Sequence, residues 1–192
     1  MPKIDWGSVE ETESAGGVDT LPSGAYECVI TEASYKRAKN SNNLMLELVW
    51  DVAEGPKKGF FATDFFANKP FRHCDRLMLE GGGMGFSKHK MRCLADWNPN
   101  FKPSAAIDRD EAQPFVGKRC VLLLQERKYT YNGRDQSEVN VVGWLDRERY
   151  QSHDYEVPET RDERQTGAAA PVAAIPAPPV PVTELYDEDI PF

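Results

Sequence analysis

Two apolar-rich runs joined by Asn132-Gly133 constrain this chain more than any other feature. Asn-Gly accepts the positive φ angles of a type I′ turn, whose twist matches that of a two-residue β-hairpin. Pairing outward from the turn sets Tyr131 against Arg134, Tyr129 against Gln136, Arg127 against Glu138, Leu124 against Val141 and Val121 against Trp144. Side chains alternate across a strand, so this register predicts two faces. One gathers Cys120, Leu122, Leu124, Val139, Val141 and Leu145 as a barrel interior. The other gathers Val121, Leu123, Val142 and Trp144 at the base, then Arg127, Tyr129, Tyr131 and Arg134 toward the tip.

Upstream, three further β runs are expected: Ala25 to Tyr35, Leu44 to Val52 and Phe60 to Phe66. In the second, Leu44, Leu46, Leu48, Trp50 and Val52 share a face, which assigns Trp50 to the core. Polar turns, Lys36 to Asn43 and Glu54 to Gly59, separate them. Residues 69–112 change character. Apolar spacing in Phe71 to Leu79 and in Ser87 to Trp97 is nearer helical, with glycines 81, 82, 83 and 85 between. The predicted fold is mainly β: a five-stranded OB-fold barrel over residues 22–150, with a helical insertion between strands 3 and 4.

Both ends differ from this body. Residues 1–19 carry one Lys against five acidic residues, for a net −4, while residues 20–150 net +3 and residues 151–192 net −7. Residues 1–21 therefore read as a flexible acidic arm, able to dock through Ile4 and Trp6. Residues 151–183 read as a disordered Ala/Pro-rich linker, with five prolines in 167–183 favouring an extended spacer. The linker presents an acidic tip, residues 184–192. A mildly basic body between acidic ends keeps a polyanion partner open despite the acidic pI. Cys28, Cys74, Cys93 and Cys120 are widely spaced and argue against a disulfide framework; no stretch approaches a membrane span. A soluble, cytoplasmic protein is expected.

The last six residues, Asp187-Glu188-Asp189-Ile190-Pro191-Phe192, resemble the acidic C-terminal tip of bacterial and phage single-stranded-DNA-binding proteins. The long segment 69–112 is similar to a divergent phage-type member rather than to the common bacterial form. The resemblance implies sequence-nonspecific binding and protection of single-stranded DNA, inside a bacterial host cell. It also implies that the tip recruits replication, recombination and repair proteins. Phe192 would fill an apolar pocket while its carboxylate meets a cation, Ile190 and Pro191 would anchor the peptide, and Asp187, Glu188 and Asp189 would lie along basic residues. A terminal aromatic beside a proline of fixed φ is a compact anchor on physical grounds as well.

Holding a single strand requires aromatic platforms for bases and cations along the backbone path. Tyr129 and Tyr131, interleaved with Arg127, Lys128 and Arg134, meet both needs. Lys36, Arg37 and Lys39 in the first turn, Lys57 and Lys58 in the second, and the rings of Phe61, Phe65 and Trp144 are further candidates. No nucleophile, base and orienting acid stand together, so neither an enzyme nor a cofactor is expected. No metal is assigned; His73, Cys74, His89 and Cys93 could meet as a zinc site only if two helices packed side by side, and their spacing matches no standard zinc pattern. The outer-face apolar residues leave self-association open. The competing expectation is a tail-bearing adaptor that recruits enzymes without binding DNA.

Overall fold

The computed structural model describes residues 20–164 except 64 and 67. The remaining parts of the expected arm, the linker from 165 and the tip lie outside the described residues. Six strands form one open sheet: β1 (Gly24–Arg37), β2 (Leu44–Val52), β3 (Cys74–Met78), β4 (Arg119–Tyr131), β5 (Arg134–Leu145) and β6 (Arg161–Glu163). Three α-helices accompany them: α1 (Met84–Trp97), α2 (Pro103–Ile107) and α3 (Arg147–Gln151). The strand order is β3-β2-β1-β4-β5, antiparallel throughout, and β6 pairs in parallel with β4.

The Asn132-Gly133 turn takes positive φ at both residues, 51° and 70°, as a type I′ turn requires. The expected register holds from Tyr131 opposite Arg134 to Leu124 opposite Val141. It then slips by one, because Val142 is an extra residue: Leu123 faces Gly143, Leu122 faces Trp144, and Val121 faces Leu145. A one-residue bulge sends every following side chain to the opposite face. Trp144, expected outside, therefore turns inward and joins the core, and Leu145 exchanges with it.

Residues Phe60 to Phe66 are not the third strand. Successive i to i+3 turns carry the chain there, with Phe60 N–H donating to Lys57 O, Ala62 N–H to Gly59 O and Phe66 N–H to Thr63 O. Adjacent residues of a strand point to opposite faces, so a strand would split each Phe pair; the turns let the rings cluster instead, with centroids 4.8–5.7 Å apart. The third strand is Cys74–Met78, inside a segment whose spacing looked helical. The reason is Asp75, which occupies a core-facing position opposite Leu48 and so breaks the apolar alternation. The helical expectation for Ser87 to Trp97 agrees with α1.

The core runs along β2, where Leu46, Leu48, Trp50 and Val52 share a face with Cys28, Ile30, Leu77, Leu122, Leu124 and Trp144; α1 closes it with Cys93 and Leu94. The other face of β2 is also covered, since Met45, Glu47, Val49 and Asp51 are buried too. Leu21, assigned to the loose arm, is fully buried in this core. Full burial of such a side chain stabilises the fold by about 1.5–3 kcal/mol.

Side chains bridge the two ends of the five-strand path. Trp144 of β5 donates its indole N–H to Asp75 Oδ2 of β3 at 2.6 Å. Lys90 of α1 donates to both Asp75 carboxylate oxygens, at 2.8 and 2.7 Å, and to Arg76 O. Asp75 is thus a satisfied carboxylate at a seam between β3, β5 and α1.

The expected linker does not begin at 151. Residues 159–164 lie along the β4–β5 hairpin, where Gln125 donates to Glu159 O, Thr160 to Glu126, β6 pairs with Arg127 to Tyr129, and Arg164 pairs with Asp135. That segment is held by hydrogen bonds and ion pairs rather than apolar burial, so its composition alone reads as a linker.

Candidate nucleic-acid interface

The β4–β5 hairpin places Arg127, Tyr129, Tyr131 and Arg134 on one face, as its register dictates. Tyr131 is 65% exposed. Arg134 is exposed and has no ion pair among the described residues. The cations nearer the base are committed. Arg127 donates to Glu138 at 2.8 Å and to Glu163 of β6 at 2.6 Å, with its guanidinium 5.1 Å from the Tyr129 ring centroid. The hydrogen bonds it donates to Glu163 and to Glu138 hold the Arg127 pKa above its ordinary value. Lys128 projects from the opposite face and pairs with Glu126 at 3.5 Å.

The other predicted residues scatter. β1 pairs with β4 over Gly24–Val29 and with β2 as far as Arg37, so the turn carrying Lys39 leaves the opposite end of β1 from the hairpin. There Lys36 is ion-paired with Glu47, and Arg37 donates to Asn42 O at 2.8 Å and lies 3.6 Å from Glu80. Lys57 sits over the Phe60 ring, and Lys58 is exposed. Phe65 is the open member of its pair, 42% exposed, with Lys69 Nζ 3.3 Å from its ring centroid. Phe61 is buried and stacked on His73 at 4.4 Å. Phe61 and Trp144 are therefore core rings without a free face, which corrects their expected place among the DNA platforms.

The zinc alternative also separates. His73 belongs to the aromatic cluster, Cys74 opens β3, and His89 Nε2 lies 3.1 Å from Trp144 O and 3.7 Å from Cys93 Sγ. Among the described residues no group of three or more His, Cys, Asp or Glu side chains is placed to hold a metal ion. Burial, followed by the charge of Asp146, pushes the Cys93 thiol up to about 11, so it stays protonated at neutral pH.

Sequence reasoning missed a groove of about 680 Å³ between the edges of β3 and β5, roofed by the start of α1. Its floor is Leu123, Val141, Val142 and Gly143; Phe86 and Tyr155 supply rings, and Arg76, Lys90 and Arg149 supply three fixed positive charges against one carboxylate, Glu156. Phe86, in the first turn of α1, is 77% exposed, and Val142 at the bulge is 49% exposed. Arg76 continues a row across the outer sheet: Lys36 of β1 and Arg76 of β3 both pair with Glu47 of β2. Burial alone would raise the Glu47 pKa, but hydrogen bonds and charge from both cations hold it below its ordinary value. The row keeps one uncompensated positive charge. An exposed ring beside cations and an apolar floor suits a flat π system carrying negative charge. The one sequence signal was Phe86 directly after the glycine cluster; Arg149 and Tyr155 fall at the presumed edge of the linker.

No helix among the described residues is long and apolar enough to cross a membrane. No family model matches the chain, and no curated protein is significantly similar to it.

Proposed function

We propose that this chain binds single-stranded DNA without reading its sequence and delivers DNA-metabolism enzymes through its C-terminal tip. The observation that carries the reading is the β3–β5 groove, where Phe86 and Tyr155 stand beside Arg76 and Arg149 over an apolar floor. Base stacking on exposed rings and cations along the backbone are the two requirements of sequence-tolerant single-strand binding. Tyr131 and Arg134 extend the same chemistry at the hairpin tip.

The strand order supports the reading. In an OB barrel a helix joins strands 3 and 4, strand 1 pairs with both 2 and 4, and the ends of the path meet. Here α1 lies between β3 and β4, β1 pairs with β2 and β4, and Asp75–Trp144 bridges the ends. We read the sheet as such a barrel, closed at its seam by side chains. The tip, Asp187 to Phe192, supplies the recruiting half of the proposal.

Fluorescence anisotropy of labelled oligo-dT and of duplex DNA, titrated with the full chain at two salt concentrations, tests it. Preferential binding of oligo-dT that weakens with salt supports the reading. No binding to either leaves the adaptor, which recruits enzymes without DNA. The ion pairs neutralising Arg127 and Lys128 are the observation that favours this second reading.

A further inference from the structure

We infer that the β3–β5 groove is also the seat of the chain's own acidic N-terminal arm, with Trp6 taking the place of a base and the arm's carboxylates the place of phosphates. The inference rests on the proposal that single-stranded DNA occupies that groove.

Arm and groove are complementary in charge and shape. The arm has one lysine against five carboxylates, and it carries Ile4 and Trp6. The groove offers Arg76, Lys90 and Arg149 against Glu156, over the apolar floor of Leu123 and Val142. Lys90 is held by Asp75 and only 20% exposed; Arg76, which shares Glu47 with Lys36, and Arg149, 4.0 Å from the exposed Asp154, are each about half exposed and are the cations a ligand can reach. Its volume of about 680 Å³ suits an indole with a neighbouring aliphatic side chain.

The arm is also long enough to reach the groove. Leu123 on the groove floor pairs with Ala25 of β1, five residues after Thr20, where the described chain begins. At roughly 3.3 Å per residue that stretch spans no more than about 17 Å, and the step to a neighbouring strand adds about 5 Å. Trp6 precedes Thr20 by 14 residues, whose extended length of about 46 Å exceeds this distance. The acidic tip, by contrast, is separated from Arg164 by more than 20 residues, so its effective concentration at the groove is lower. Leu21, fully buried, anchors the arm's root.

The consequence is a competitor tethered beside the DNA site. An arm seated about nine-tenths of the time weakens apparent DNA affinity about tenfold. Salt weakens both interactions, so the arm's effect is largest at low ionic strength.

The test uses the full chain labelled with 5-fluorotryptophan and read by fluorine NMR, with Trp6 assigned through Trp6→Phe and a peptide of residues 1–12 marking its free position. The expected result is a Trp6 resonance away from the free position, returned to it by Phe86→Ala, by Arg149→Glu and by saturating oligo-dT. Trp6→Ala should then tighten oligo-dT binding by up to about tenfold at low salt. A Trp6 resonance at the free position in the parent chain overturns the arm's docking. If oligo-dT still binds in that case, the single-strand reading stands without the arm; if Phe192→Ala also raises the affinity, the groove belongs to the tip. A docked Trp6, with no oligo-dT bound by either the parent or Trp6→Ala, keeps the seat and removes the single-strand reading.

Discussion

Replacing Trp144 by Phe should unfold this protein more easily while touching no surface ring. Trp144 is 3% exposed, and its indole N–H donates to Asp75 Oδ2 at 2.6 Å across the seam. A hydrogen bond to a charged acceptor contributes about 1.5–3 kcal/mol. The smaller phenyl ring also leaves a void in a core that packs Leu122 and Cys93 nearby, adding about 1 kcal/mol. Lys90 stays on Asp75, so the carboxylate is not orphaned and the total loss should be about 2–4 kcal/mol. Urea unfolding followed by far-ultraviolet circular dichroism reads this without depending on the altered fluorophore. With a slope of about 2 kcal/mol per molar, the midpoint falls by about 1–2 M. Trp97→Phe is the control: it loses a bond to the neutral acceptor Leu145 O and should cost about 1 kcal/mol. A Trp144→Phe midpoint within about 0.3 M of the parent would refute the inward placement and the seam bond together.

Three further outcomes are expected. Phe86→Ala, at a 77% exposed site, should change stability by less than about 0.5 kcal/mol; made in the Trp6→Ala chain, where the arm no longer competes, it should weaken oligo-dT binding by about 1–3 kcal/mol, measured by anisotropy, and unchanged affinity there removes Phe86 from the interface. Burial holds the His73 pKa below its ordinary 6.5 against the opposing charges of Asp51 and Glu32, so the unfolded chain takes up that proton more readily. Its contribution to stability is complete above about 6.5 and is lost as pH falls through the folded pKa; melting scans from pH 7.5 to 5 should therefore show a shallower decline in His73→Gln than in the parent. Gly133→Ala forces a side chain onto a φ of 70° and should cost about 1 kcal/mol in chemical unfolding, whereas Asn132→Gly should be nearly neutral.

The sequence by itself determined the β character of the body, the β4–β5 turn and its register as far as Leu124, the core face of β2, and the helix over Ser87 to Trp97. Each is a local property: φ at two turn residues, or side-chain periodicity within one element. The acidic ends, too, were legible as charge. Tertiary structure alone decided the rest. An extra residue at Val142 turned Trp144 from the expected surface into the core, because a strand's faces depend on a count that its partner fixes. Asp75 sits where an apolar residue would mark a strand, stabilised by Trp144 from 69 residues away and by Lys90. Phe60 to Phe66 resembled a strand in composition, yet turns gather their rings into one cluster, with Phe61 and Phe66 against His73. The groove draws on β3, α1, β4, β5 and the segment after α3, and no window of sequence contains it. Its chemistry arises only where those elements meet in space.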